Sequence, residues 1–242
     1  MKILSIGNSF SEDAQRYLHK LAKNEGIDLQ TVNLFIGGCS LETHYSNMLN
    51  NNVVYELQRN GEKTGLLTSI HQALISDEWD VVTLQQASQF SANFATYTPY
   101  IEALASYVKK HCPTAKIYVH QTWAYEDGSE RLQAVGNFAT AEQMFNAIEQ
   151  SYEKAFNLIK ADGLIPCGKA MITASKINNQ KVHRDCFHAS FGLGRYMLAL
   201  TWFKALTGCD ICNNSFNEFD EVVSKTEREI AIKAVNLAIE NN

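Results

Sequence analysis

Ser9, Asp185 and His188 are the residues whose types and spacing could together do chemistry. A serine hydroxyl alone is inert. It becomes a nucleophile when a histidine removes its proton and a carboxylate holds that histidine in the right tautomer. The run His183-Arg184-Asp185-Cys186-Phe187-His188 offers both partners just ahead of a long apolar helical stretch, 191–206. Asp185 and His188 are three apart on a turn entering that helix, so both side chains can face one edge of a sheet. Asp185 could then hold Nδ1–H of His188 while Nε2 takes the proton of Ser9. The chain order would be Ser, Asp, His.

Ser9 sits where such a nucleophile is useful. Ile3-Leu4-Ser5-Ile6 reads as a short buried strand and Gly7-Asn8-Ser9-Phe10-Ser11 as a turn. Apolar residues at 14, 17, 18, 21 and 22 then follow helical spacing, and Ser11 with two acids behind it reads as the N-cap. Ser9 therefore falls between the carboxyl end of a strand and the amino end of a helix. Open α/β sheets bind ligands at that edge, and free N–H groups at a helix start stabilise a developing oxyanion. The bland rival is that Ser9 caps the helix, although Ser11 is the better cap.

The remaining elements alternate. Strands are expected at 29–35, 79–85, 116–120 and 164–165, which with the first make about five. Helices are expected at 66–76, 100–110, 144–159, 191–206 and 217–239, with another before Asp185. A hairpin with an Asn60-Gly61 turn, near 53–63, reads as an excursion from the core. Strands alternating with helical patterns imply an α/β fold: a parallel sheet with helices on both faces, three layers deep. No repeat or linker divides the chain, so 1–242 is expected to be one domain.

Composition narrows the function classes. With 21 Lys+Arg against 26 Asp+Glu the net charge is −5, and the basic residues are scattered, which argues against a nucleic-acid partner. No apolar run approaches ~20 residues, so no membrane span is expected. Nor is there a long exposed apolar run of the kind that would form a lipid-binding lid. Met1-Lys2 leads straight into the first strand, which predicts a cytoplasmic protein; an exported origin stays open if a leader has been removed. The six cysteines include one C-x-x-C, Cys209 to Cys212, without a second pair for a zinc ribbon, and read as reduced thiols. Cys39 has no obvious base nearby in sequence and reads as a small buried residue. His183, Asp185 and His188 could instead be metal ligands, but the spacing is compressed and no distant ligand cluster completes it. His44 reads as a surface residue near the second-strand loop or a substrate contact. Trp123 and Tyr125, on a loop at the same sheet edge, could stack on a sugar ring or acyl group, or equally cover the core.

In order along the chain, these stations resemble the SGNH (GDSL-type) hydrolase superfamily. Gly7-Asn8-Ser9-Phe10-Ser11 is similar to its first block, Gly38 to the second-block glycine, Gln85-Gln86-Ala87-Ser88 to the third and Asp185-x-x-His188 to the fifth. The wording Ile-Gly-Asn-Ser-Phe-Ser, Gly-Gly-Cys-Ser-Leu, Leu-Gln-Gln-Ala-Ser and Gly-Arg-Tyr resembles the bacterial DUF4886 branch, over Met1 to about Gly208. The resemblance implies a flavodoxin-like architecture and a serine esterase acting on a small acyl group such as acetyl, with a carbohydrate ester as one substrate class. It implies Ser9, Asp185 and His188 as catalytic residues, with an oxyanion hole made of the Ser9 and Gly38 N–H groups and a glutamine amide. Gln85 fits that last role best, with Gln86 and Gln89 as alternatives, where the family has asparagine. Trp123 and Tyr125 would contact substrate. No cofactor and no metal are implied. Cys186 stands where the family commonly has glycine, which would strain the backbone if the position needed positive φ. Two rivals remain. A non-catalytic binding protein on the same fold is separated by whether Ser9 Oγ lies within hydrogen-bond reach of His188. A nucleotide-binding protein is disfavoured by a first turn without G-x-G-x-x-G.

Overall fold

The computed structural model of the chain describes residues 1–177 and 180–240. Its strands are β1 (Lys2–Gly7), β2 (Gln30–Phe35), β3 (Tyr55–Arg59), β4 (Glu62–Thr68), β5 (Val81–Leu84), β6 (Lys116–His120) and β7 (Gly163–Ile165). Its helices are α1 (Ser9–Gln15), α2 (Leu18–Asn24), α3 (Leu41–Leu49), α4 (Ile70–Ile75), α5 (Tyr100–His111), α6 (Glu130–Gly136), α7 (Ala141–Ile159), α8 (Cys167–Lys176), α9 (Leu193–Thr207) and α10 (Lys225–Glu240).

The strands form one sheet in the order β4-β3-β2-β1-β5-β6-β7. From β2 to β7 every neighbouring pair is parallel, and the carboxyl ends of β1, β2 and β5 share one edge. Residues 81–84 are all buried, as expected of a parallel strand covered on both faces. Helices α1, α2, α8, α9 and α10 pack together as one layer, and α3, α4, α5 and α7 as the other. This is the three-layer α/β arrangement expected, with seven strands rather than about five. Among the described residues no helix is long and apolar enough to cross a membrane.

The extra strands are the hairpin. Asn60 and Gly61 both take positive φ, +53° and +79°, the two-residue turn that Asn-Gly favours. A Cβ at Gly61 would come within 2.5 Å of the Arg16 carbonyl oxygen, so glycine is also needed for the close approach. The hairpin is no excursion, because β3 pairs antiparallel with β2 and sets Leu57 opposite Leu34. Two helix starts also move. The pattern at 66–76 begins as strand through Thr68, and α4 starts only after Ser69, which forms a capping box with Gln72. The final helix starts at Lys225 rather than 217. Phe216 and Phe219 pack on Tyr17 and Tyr196, Asp220 takes Arg16 and Arg195, and Ser224 and Glu227 make reciprocal hydrogen bonds at the helix start.

Candidate active site

Asn8, not Ser11, is the N-cap of α1. Its backbone is extended and its Oδ1 accepts from Phe10 N at 3.0 Å. Ser11 Oγ accepts from Asn8 N at 3.0 Å and lies 2.8 Å from Asn33 Oδ1, so the predicted cap belongs to the third helical residue of a capping box. Ser9 is consequently the first residue of the helix, where its own N–H has no intrahelical acceptor.

The loop carrying His188 is closed on itself. His183 and Ala189 form a bridge, Ser190 N donates to Val182 O at 2.8 Å, and Arg184 N donates to His188 O at 3.0 Å. Asp185 Oδ1 accepts from His188 N at 2.7 Å and from Phe187 N at 3.2 Å, while Oδ2 lies 2.8 Å from His188 Nδ1. Cys186 is not among the residues with positive φ, so cysteine fits here without strain. Partial burial pushes the Asp185 carboxyl up, but the His188 side chain and the two N–H groups outweigh it and bring it to about 2. A carboxylate only accepts, so Nδ1 carries the imidazole proton and Nε2 is left to accept. Nε2 lies 3.0 Å from Ser9 Oγ, within hydrogen-bond reach.

Asp13 was legible only as an acid behind a cap, yet it docks this loop. It is four residues beyond Ser9, on the same face of α1 and fully buried. Its carboxylate accepts from Arg184 Nη1 at 2.8 and 2.9 Å, from Arg195 Nε at 2.9 Å and from Ala189 N at 3.2 Å. The helix that presents Ser9 and the loop that presents His188 are thus joined one turn from the Ser9–His188 hydrogen bond. An acid one turn past the serine, beside the apolar Ala14 and with two later arginines near the histidine, is the sequence signal that could have found it.

Gly38 follows β2 at φ +64°, solvent-exposed, with nothing within 4 Å of a built Cβ. Asn8 Nδ2 donates to Cys39 O at 3.1 Å and so ties the Gly38 turn to the start of α1. Gln85 does not reach the cleft. It is 1% exposed, its Nε2 donates to Asn8 Oδ1 at 2.7 Å, and its Oε1 takes His120 Nδ1 at 2.6 Å. Gln86 is committed as well: its Oε1 accepts from Leu41 N and Ala87 N and its Nε2 donates to Thr96 O. Of the three glutamines only Gln89 lines the cleft, with Nε2 3.4 Å from Gly38 O. The expectation for Gln85 is therefore corrected: its amide is spent on Asn8.

Burial holds His120 at about 3, so it is a neutral donor to Gln85. The chain His120–Gln85–Asn8 accordingly fixes the N-cap from below. Gln85→Leu should cost about 2 kcal/mol by leaving buried Nδ1–H of His120 without an acceptor. Denaturant unfolding checks this, and an unchanged midpoint would show the string to be idle.

The two aromatic candidates separate. Trp123 is 0% exposed, stacks on Phe10 at 3.9 Å and donates Nε1–H to Phe187 O at 2.7 Å. It supports the His188 loop from within the core, and its assignment as a substrate contact is corrected. Tyr125 borders the cleft but is itself 1% exposed, its hydroxyl 3.0 Å from Ser88 Oγ, so it backs the cleft wall rather than presenting a ring face to it. His44 is neither at the surface nor in the cleft. It is fully buried at about 3, with Nδ1 2.9 Å from Tyr55 Oη and 3.4 Å from Cys39 Sγ. Cys39 thus has a histidine beside it after all, but burial pushes the thiol up to about 12, so it is not poised as a thiolate. His183 turns away from His188, with Nε2 3.1 Å from Ala124 O and burial holding it at about 4. Among the described residues no group of three His, Cys, Asp or Glu side chains is placed to hold a metal ion.

Ser9, Gly38, Gln89, Tyr125 and His188 border one cleft of about 680 Å³. The same architecture occurs in solved structures. A DUF4886 family protein from Bacteroides uniformis is 34% identical and covers 99% of this chain and 95% of its own, with a TM-score of 0.91. A Slackia heliotrinireducens protein described as a candidate SGNH hydrolase is 23% identical over 85% of this chain and 98% of its own, at a TM-score of 0.60. An acetyl xylan esterase, AlAXEase, is 17% identical over 85% and 100%, at 0.55. The last two share the fold. No curated protein matches the chain in sequence. The family model described as "Domain of unknown function (DUF4886)" matches residues 2–238, and with that span and the Bacteroides likeness the chain belongs to the DUF4886 family, on the SGNH hydrolase fold.

Proposed function

We propose that this protein is a serine esterase that removes a small acyl group, such as acetyl, from an alcohol through an acyl-enzyme. The observation that carries the reading is the line Ser9 Oγ–His188 Nε2–Asp185, at 3.0 and 2.8 Å, opening on a cleft at the sheet edge. Ser9 Oγ attacks the ester carbonyl as His188 Nε2 takes its proton. The resulting oxyanion lies against the Ser9 and Gly38 N–H groups, with the Gln89 amide as the nearest side-chain donor, and each such donor supplies ~3 kcal/mol. Collapse breaks the ester C–O bond, and the alcohol oxygen leaves with the proton from His188. Water then repeats the sequence: His188 takes its proton, hydroxide adds to the acyl carbon, and Ser9 Oγ departs with the proton returned. Asp185 stays ionised and supports the imidazolium in both halves.

The acetyl xylan esterase on the same fold supports a carbohydrate acetate as the substrate type. Since the cleft must hold both halves of the ester, a short acyl chain is favoured. Purified protein should therefore hydrolyse p-nitrophenyl acetate faster than the decanoate, with EDTA leaving the rate unaltered. Equal or better turnover of the ten-carbon chain contradicts the acyl assignment. Inactivation by EDTA with recovery on added zinc contradicts the serine mechanism.

A further inference from the structure

We infer that the alcohol half of the substrate carries a carboxylate, held by Arg131; this deepens the esterase reading above and rests on it. His188 Nε2 must hand its proton to the leaving oxygen, so the alcohol departs on the His188 side of the cleft, while the carbonyl oxygen faces Ser9 N and Gly38 N. On the His188 side the wall is Phe187, whose ring centroid is 3.9 Å from that of His188. Arg131 lies over the same Phe187 ring at 4.2 Å. A leaving group resting on Phe187 therefore meets the Arg131 guanidinium.

That guanidinium is uncommitted. The cleft has two arginines, and Arg184 is neutralised by Asp13. Arg131 has no ion pair, and no acceptor takes a hydrogen bond from its side chain among the described residues; stacking on Phe187 leaves its edge donors open. Its backbone is anchored, because Ser129 Oγ, the N-cap of α6, accepts from Arg131 N at 3.2 Å. An exposed arginine fixed at its base, flattened on an aromatic ring and open at its edge fits a planar carboxylate in bidentate fashion. The cleft also holds Glu12, whose Oε1 accepts from Gln58 Nε2 at 2.7 Å. One cation set against that acid suits a singly charged carboxylate better than a phosphate dianion. A uronic acid acylated on a hydroxyl presents this chemistry.

The test compares two acetates whose leaving groups differ in charge: 3-acetoxybenzoate and 3-acetoxybenzamide. The wild-type protein should prefer the benzoate in kcat/KM by about tenfold, chiefly through KM, and rising ionic strength should erode the preference. Arg131→Gln should bring the ratio close to one, and Arg131→Lys should retain part of it. A wild-type ratio near one, or a ratio that survives Arg131→Gln in folded protein, overturns the inference while leaving the esterase reading standing. If neither acetate is cleaved, the esterase reading falls first and this inference with it.

Discussion

Ser9→Ala should lower kcat/KM for short esters by about 10⁴-fold or more while the protein stays folded. Ser9 Oγ has His188 Nε2 as its only hydrogen-bond partner among the described residues, and capping of α1 belongs to Asn8. Removing the hydroxyl should therefore cost no more than about 1 kcal/mol of stability. Urea denaturation beside the kinetics separates the two effects. A folded Ser9→Ala protein that kept about a tenth of wild-type turnover would remove the nucleophile assignment. Cys39→Ser is the control, because that thiol is buried and pushed up to about 12, and most activity should survive. Asp185→Asn should cost about 10³–10⁴-fold by permitting the wrong imidazole tautomer. The pH dependence has a definite sign. Asp185 titrates at about 2, so this carboxyl stays ionised through the mildly acidic and neutral range and any loss of kcat/KM there does not come from protonating it. Because its folded value is depressed from 3.8, Asp185 contributes stability above 3.8 that is lost as pH falls through about 2. Acid loosening of the loop should thus set in only as pH falls from 3.8 toward about 2, which a pH series of urea midpoints checks.

The parts of this molecule that were readable in the sequence are those written in local patterns. The strand–turn–helix around Ser9 follows from apolar spacing. Asn60-Gly61 announces its turn through the φ > 0 that both residues tolerate. What escaped depends on long-range pairing. Nothing local says that residues 55–68 add two strands beside β2, since that depends on Leu57 meeting Leu34. Ser11 was the better cap by composition, but Asn8 wins because Gln85 and Cys39, both distant in sequence, hold its amide at the end of β1. Trp123 and Tyr125 are two apart on one loop and identical by pattern. Packing buries both: Trp123 stacks on Phe10, while Tyr125, 1% exposed, borders the cleft with its hydroxyl on Ser88. Gln85 was preferred over Gln86 and Gln89 for its place at the strand end, and tertiary hydrogen bonds to Asn8 and His120 take it out of the cleft instead.

Asp13→Ala should be the most destabilising single change at the site and should also disable it. The carboxylate is 0% exposed and faces two guanidinium groups, whose side chains are 21% and 12% exposed. Removing one member of a buried ion pair costs about 3–5 kcal/mol, because the partner charges lose their compensation. Arg195 keeps Asp220 as a second partner, whereas Arg184 has no other carboxylate among the described residues. The destabilisation should therefore concentrate on the 183–190 loop. A milder variant, Arg184→Gln, leaves Arg195 on Asp13 and should fold, yet it frees the loop from the helix one turn beyond Ser9. Its kcat should fall more than its KM rises, since a looser loop misplaces the base rather than the cleft. A double-mutant cycle between Asp13→Asn and Arg184→Gln then isolates the clamp: the coupling should reach about 2 kcal/mol in stability, with a matching non-additivity in kcat. Additive effects in both quantities would mean that Asp13 and Arg184 act separately, and that the Ser9–His188 approach is set by Trp123 and Phe10 alone.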